Sequence, residues 1–326
     1  MLSALVTRSK AILMGERIVC DAHEGGREIR VITHAHYDHV LGLKESLSEC
    51  RAVYATPITK DMLSVLYGKK AEKISVLNYE EPVMVGSEVL VLYPANHIPG
   101  SAQVLVEDVD GSRVLYTSDF RLPGAPVIET DILVIEATYG HPKCVRPPID
   151  DVYDALIKLV NDEVEKRPIY VYGFYGKVQE VMDVLRRRGV YAPFLAEGKM
   201  YELTVVCAKH NLKVRDVVSA TSKEGLEILR GGGGYVFFKH ASKLGENVKG
   251  LKIHLTGWEF NVTHRKVSND MYRVSLSSHS DFNHLIAYVE DSRPKKVIVD
   301  NSRDGFGVEF AREVRKRLRL EAIAMP

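Results

Sequence analysis

The chain has 326 residues, enough for one large domain or two ordinary ones, and its 45% hydrophobic and 27% charged content describes a packed protein rather than a disordered one. Lys and Arg (44) nearly cancel Asp and Glu (43), so net charge gives no ground for nucleic-acid binding and any basic groove is local. No apolar run approaches the ~20 residues of a membrane span, and Arg8 and Lys10 break the apolar stretch that a signal peptide needs.

Up to about Gly140 the chain reads as short strands separated by turns. Ala11–Met14 and Arg17–Cys20 form an expected hairpin around Gly15-Glu16, followed by a strand over Arg27–Ile32. A short helix is expected over Leu41–Leu47. Val53–Ala55 is strand-like, and Pro57 suits the start of a helix that runs to Tyr67. Strands follow over Val83–Val85, Glu88–Tyr93, Ala102–Asp108 and Arg113–Tyr116, the last two joined at Asp110-Gly111, and Ile132–Ile135 is a wholly apolar, buried strand.

From about Cys144 to His254 helices and strands alternate. Val152, Leu156, Leu159, Val160 and Val164 recur at helical spacing, and Pro168 stops that helix before the strand Ile169–Tyr172. Helices are expected over Val178–Arg188, Leu203–Ala208 and Leu226–Leu229, with a strand over Tyr235–Phe238. This is the pattern of a small parallel α/β lobe inserted into a strand-rich domain. Gly173, Gly176 and Lys177 echo a phosphate loop without completing the motif, but Lys177 near a helix start could still meet a phosphate. Strand texture returns at Lys252–Leu255, Tyr272–Leu276 and Lys296–Asp300, with helices over Phe282–Val289 and Phe306–Leu318.

The four cysteines (Cys20, Cys50, Cys144, Cys207) are scattered, with no C-x-x-C pair. They read as reduced thiols of a soluble cytoplasmic protein. Glutamine occurs only at Gln103 and Gln179 amid abundant Glu, Lys and Arg, which leans toward a thermophilic source.

The chemistry concentrates in Thr33-His34-Ala35-His36-Tyr37-Asp38-His39, an H-x-H-x-D-H cluster just after a strand. Neither the helix period nor the strand period aligns all four metal-competent side chains, so a tight turn must gather them. His34 and His36 suit one divalent ion, and Asp38 and His39 a second beside it, so one ion or a pair is possible. Further donors are expected at strand exits: His97, Asp119, Glu136 and His279. Asp21, also at a strand exit, suits an acceptor that orients a ligand histidine.

These motifs resemble the metallo-β-lactamase superfamily and, within it, the β-CASP nucleases. The resemblance runs from Asp21 through Glu136 and from Thr256 to about Asn301, across an intervening insert. It implies an α/β fold, the αββα sandwich of the metallo-β-lactamases with an inserted β-CASP α/β lobe. Residues 1–143 and 255–326 would form the sandwich, and 144–254 the insert. The resemblance implies metal ligands at His34, His36, Asp38, His39, His97 and Asp119, and catalytic roles for Asp38, Asp119, Glu136 (in I-E-A-T-Y-G) and His279 (in S-S-H-S-D). Lys177, Ser278 and Ser280 are candidate substrate contacts.

H-I-P-G-S-A-Q-V, L-Y-T-S-D-F-R, E-A-T-Y-G-H-P and T-G-W look most like ligase-associated DNA exonucleases, with crosslink-repair and Artemis-type nucleases next. Two positions depart from the pattern. Ser118 stands where a glycine is usual before the aspartate. Asn301 stands where RNA-cleaving members carry a histidine ligand, and is expected to support the ligands from behind as Asp21 does, unless a one-residue slip brings Asp300 there. The expected activity is therefore metal-dependent hydrolysis of nucleic acid, DNA in preference to RNA, with one or two Zn²⁺ or with Mn²⁺. The resemblance suggests a DNA ligase or helicase partner and no membrane. The alternatives are an RNA-processing nuclease on the same scaffold and a small-molecule metallo-hydrolase.

Overall fold

The computed structural model describes residues 2–214 and 216–326. The chain divides into two compact units, Met1–Cys144 with His279–Pro326, and Val145–Ser278.

The first unit is built on two sheets. One has six strands in the order Ala4–Val6, Ala11–Met14, Ile18–Asp21, Ile29–Val31, Ala52–Ala55, Ser75–Val76. The other has seven, in the order Glu321–Met325, Lys296–Asp300, Ile132–Ile135, Arg113–Tyr116, Ala102–Glu107, Glu88–Pro94, Val83–Val85. The alternation of side chains along each strand decides how they stack. Val104, Val106, Val114, Tyr116, Val134 and Ile298 point from the second sheet into a core shared with Ile12, Met14, Ile18, Cys20, Ile29 and Val31 of the first. Their neighbours Leu105, Leu115, Leu133, Ile135, Val297 and Val299 face the other way, onto Phe282, Leu285 and Val289 of the helix Phe282–Ser292 and Phe310 and Val314 of the helix Gly307–Leu318. The helix Leu43–Glu49 packs against Ala52–Ala55 of the first sheet, and Pro57–Tyr67 against its edge strand Ser75–Val76. The expected αββα layering is present.

The expected hairpin pairs Ala11–Met14 with Ile18–Asp21 antiparallel, and Gly15 turns it at φ +59°. A side chain there would collide with Glu88, whose carboxylate accepts the Glu16 and Arg17 N–H groups. Only glycine meets both demands. Sequence pattern did not reveal the strands Ala4–Val6, Ser75–Val76 and Glu321–Met325. The three share a position at or beside a sheet edge, where an alternating apolar face is not required.

The second unit carries a seven-stranded sheet in the order Val218–Ser219, Phe194–Ala196, Val236–His240, Ile169–Gly173, Leu251–Thr256, Met271–Ser275, His264–Ser268. All neighbours are parallel except the last pair. The helices Ile149–Val164, Lys177–Arg187, Gly198–Lys209 and Lys223–Arg230 alternate with the strands. The first of them buries Val152, Leu156, Val160 and Val164, a stripe at four-residue spacing. The expected end of the insert at 254 is corrected here. Residue 254 lies inside the strand Leu251–Thr256, and two further strands extend this sheet, so the unit closes at Ser278. Thr256, Gly257 and Trp258 accordingly belong to this unit.

Ile298 is 1% exposed between the two sheets of the first unit. Ile298→Ala should lower stability by about 2–5 kcal/mol, read from the denaturant midpoint at unchanged slope.

Candidate metal centre

Every strand that delivers a candidate ligand ends on one edge of the first unit. Ile18–Asp21 and Ile29–Val31 run parallel, as do Arg113–Tyr116, Ile132–Ile135 and Lys296–Asp300. Glu88–Pro94 takes the same direction through two antiparallel pairings. Their exits carry Asp21, the histidine turn, Asp119, Glu136 and His97.

The turn after Ile29–Val31 closes as a short 3-10 segment over Tyr37–His39. Arg30, fully buried, reaches from that strand to the His39 carbonyl (3.4 Å) and Ser46 Oγ (2.8 Å), and burial pushes its pKa down to about 10. The loop bearing His97 is held by Ser101 Oγ, which accepts the His97 N–H (2.9 Å). Gly100, at φ +85°, lies so close to Ile58 and Thr59 that a Cβ would not fit, while its carbonyl accepts from Thr56 and Thr59 hydroxyls.

His34 Nε2 and His97 Nε2 each lie 3.1 Å from His36 Nδ1. Asp119 Oδ2 lies 3.6 Å from His34 Nε2 and 3.7 Å from His97 Nε2. Zinc–nitrogen bonds of about 2.0–2.1 Å in a tetrahedron put donor atoms roughly 3.3–3.4 Å apart, so these four fit one divalent ion. His34 suits that role electrostatically. Burial, reinforced by His39, His97 and His36, pushes its pKa well down and leaves the ring neutral. Burial works against a charge on Asp119, but His39, His279 and His97 outweigh it and hold the carboxylate well below its ordinary range. Asp119 also belongs to a second convergent group with Glu136 and His279.

His279 Nδ1 sits 2.9 and 3.0 Å from the two Glu136 oxygens, which also accept the Phe120 N–H and the Thr138 hydroxyl. The His279 ring meets His97 edge to face, centroids 4.5 Å apart. The strand expected to deliver His279, Met271–Ser275, belongs to the other unit's sheet. His279 instead precedes the helix Phe282–Ser292, whose N-cap is Asp281, and the Ser280 N–H to Phe120 carbonyl bond (2.8 Å) holds it in place.

Asp21 is where expected and does more than orient one ring. It accepts from His39 Nδ1 (2.7 Å), Thr33 N–H (3.1 Å), Thr33 Oγ1 (2.7 Å) and the Tyr116 hydroxyl (2.8 Å). His39 Nε2 is then left 3.3 Å from both Asp38 Oδ2 and Asp119 Oδ2. Ser118 adopts φ +53°, the left-handed backbone that explains a glycine preference there, and its hydroxyl donates to Thr33 Oγ1 (2.7 Å).

Three expectations are corrected. Ser280 is 1% exposed and its hydroxyl accepts the Leu122 N–H (3.0 Å), so it staples a loop rather than offering a substrate contact. Asp300 does not substitute for a missing ligand by a slip of register: it pairs with Arg303 Nη1 (2.6 Å) and accepts from Ser302. Asn301 rests against Gly307 and donates its N–H to the Met325 carbonyl (2.6 Å) instead of joining the cluster. Lys177 opens the helix Lys177–Arg187 of the other unit, and Ser278, its last residue, is buried. Sequence reading missed Thr33, Tyr116, Thr138 and Arg303. Tyr116 and Arg303 carried a usable signal, since each stands at a strand exit like the ligands.

Residues 28–169 match the metallo-beta-lactamase superfamily. A relative from Acidianus ambivalens, described as "Uncharacterized protein in lig 3'region", is 38% identical over 138 residues, 42% of this chain and 99% of that protein. An RNase J-like protein of Methanocaldococcus jannaschii is 25% identical over 89% of this chain and 85% of its own length. A probable DNA ligase of Opitutus terrae is 27% identical over 90% of this chain, which spans only 28% of that larger protein. Among solved structures, a protein of unknown function from Enterococcus faecalis V583 has a similar fold, with TM-score 0.67 at 15% identity over 99% of this chain and 96% of that one.

Asp21→Asn should weaken metal affinity by about 10–100-fold, because the amide cannot serve all four donors. Competition with a chromophoric chelator measures this, and unchanged affinity would remove Asp21 from the centre.

Proposed function

The chain belongs to the metallo-β-lactamase superfamily and, within it, to the β-CASP nuclease family, and from that premise we propose that it is a zinc-dependent DNA exonuclease of DNA repair. The observation that carries this reading is Asp119, shared between the three-histidine cluster and the Glu136–His279 pair. A site built this way couples a Lewis acid to a positioned proton donor, the two requirements of phosphodiester hydrolysis at neutral pH.

When bound on His34, His36, His97 and Asp119, a divalent ion supplies charge against the phosphoryl oxygens and lowers the pKa of water toward neutrality. The chain's own groups do the rest. Asp119 faces both the histidines and His279, so the attacked phosphorus and the proton donor share one locus. Glu136 accepts from His279 Nδ1 and fixes which ring nitrogen faces the leaving oxygen. His279 delivers the proton to that oxygen. His39 Nε2 holds the Asp119 oxygen that faces the histidines, and Asp38 lies on the other side of that same ring nitrogen. Lys177, at a helix start, is kept as a proposed phosphate contact.

Two points support DNA over RNA. Asn301 packs on Gly307 at the position where the RNA-cleaving members resembled by this sequence carry a ligand histidine. Most of the chain is also similar to part of a probable DNA ligase, which supports a DNA ligase partner as well. The RNase J-like relative supports RNA processing as the second reading. No helix among the described residues is long and apolar enough to cross a membrane. We assign the protein to the cytoplasm on its four free cysteines.

End-labelled single- and double-stranded DNA and RNA, given with Zn²⁺ or Mn²⁺, test the reading. Progressive shortening of DNA alone is expected, and cleavage of RNA alone would overturn it. His36→Ala should abolish turnover and lower bound metal. His279→Ala should retain metal on the four-donor site yet slow turnover by roughly a hundredfold or more, and retained turnover would remove its role as proton donor.

A further inference from the structure

Arg303 lies in the loop after Lys296–Asp300, and its side chain is 11% exposed. All three guanidinium nitrogens are engaged. Nε donates to Asp38 Oδ2 (3.1 Å), Nη1 to Asp300 Oδ2 (2.6 Å), and Nη2 to the Lys10 carbonyl (3.1 Å) while facing Asp21 Oδ2 at 3.7 Å. The guanidinium is thus anchored from the first sheet and the second at once.

A second ion in this centre would use Asp38 Oδ2, His39 Nε2 and Asp119 Oδ2. The Asp38 oxygen is the one that accepts from Arg303. Asp300, the carboxylate that a slip of register would bring to the set, is also paired with Arg303. Only three donors remain where four are usual. Asp38 and His39 belong to neither group of convergent donors found among the described residues. Arg303 cannot withdraw without leaving the charge of Asp300, which is 7% exposed, with only the neutral Ser302 donors. A divalent ion beside Asp38 would therefore face a fixed like charge.

We propose that Arg303 takes the place of a second metal ion, so that the centre holds one divalent ion, on His34, His36, His97 and Asp119. This rests on the metal-dependent hydrolase reading above. It makes Asp38 a partner of a permanent organic cation rather than a ligand, and it revises the sequence expectation of a second ion on Asp38 and His39.

Counting ions decides the matter independently of activity. Metal-free full-length protein is titrated with Zn²⁺ and with Co²⁺, and bound ions are counted by native mass spectrometry and elemental analysis. Wild type should saturate at one ion per chain. Arg303→Ala should rise to two at the same free metal concentration, because Asp38 and Asp300 are released. Arg303→Lys, which keeps a cation beside those carboxylates, should stay at one. Two ions per wild-type chain, two in Arg303→Lys, or one in an Arg303→Ala protein with native circular dichroism would each overturn the assignment. If Arg303→Ala does not fold, the wild-type and Arg303→Lys counts still decide. A one-ion protein that leaves DNA and RNA intact would refute the nuclease reading and leave the role of Arg303 standing.

Discussion

Asp21 is fully buried, and a carboxylate in that position is tolerable only when its acceptor capacity is used. Four donors use it: His39, both groups of Thr33, and Tyr116. Burial alone would push its pKa up, but His39 and Arg303 outweigh that and hold it low. Thr33 and His39 begin and end the histidine turn, and Tyr116 belongs to the opposite sheet. One charge thus fixes the turn to its own strand and fixes the two sheets to each other at the edge where the ligands emerge. Asp21 itself takes φ +66°, a backbone region that aspartate tolerates better than most residues.

The rest of the centre follows from that anchor. With Nδ1 committed to Asp21, His39 presents Nε2 toward Asp38 and Asp119. Burial and Arg303 oppose a proton on His39, but Asp21 and Asp119 outweigh them and raise its pKa well above the ordinary value. His34 sits one ring away, with centroids 4.0 Å apart, and is driven the opposite way. Both imidazoles face Asp119, and they differ in character because only His39 also pairs with Asp21. The same contacts separate the cluster into an ion-receptive half around His36 and a charge-paired half around Arg303.

The convergence of the candidate ligands was readable because it obeys a simple rule: polar residues at the ends of apolar strands, in chain order, on one edge of a layered fold. His34, His36, His97, Asp119 and Glu136 all satisfy it, and the structure brings their side chains together. Two kinds of information did not lie in the pattern. Residues such as Thr33 and Thr138 act through short hydroxyl contacts to a carboxylate, and no helix or strand period encodes those. Ser280 shows the converse, since a polar residue inside a motif is consumed by the backbone bond that positions its neighbour. The boundary at 254 was misplaced because Leu251–Thr256 has the same apolar texture as a strand of either unit, and only pairing tells them apart.

The ladder between Ile132–Ile135 and Lys296–Asp300 has a consequence for the order of assembly. These strands are neighbours in space, yet the whole of the second unit lies between them in the chain. The histidine turn, His97, Asp119 and Glu136 all precede that unit, whereas His279 and Arg303 follow it. During synthesis from the N-terminus the ion-receptive half can form early, but His279 and the guanidinium arrive only after the intervening unit has been made. Closing so long a loop adds little entropy beyond a shorter one, since the cost grows only logarithmically. What it adds is delay, because contacts so far apart in sequence form slowly. A nascent chain of this kind can gather its histidine cluster before His279 reaches Glu136.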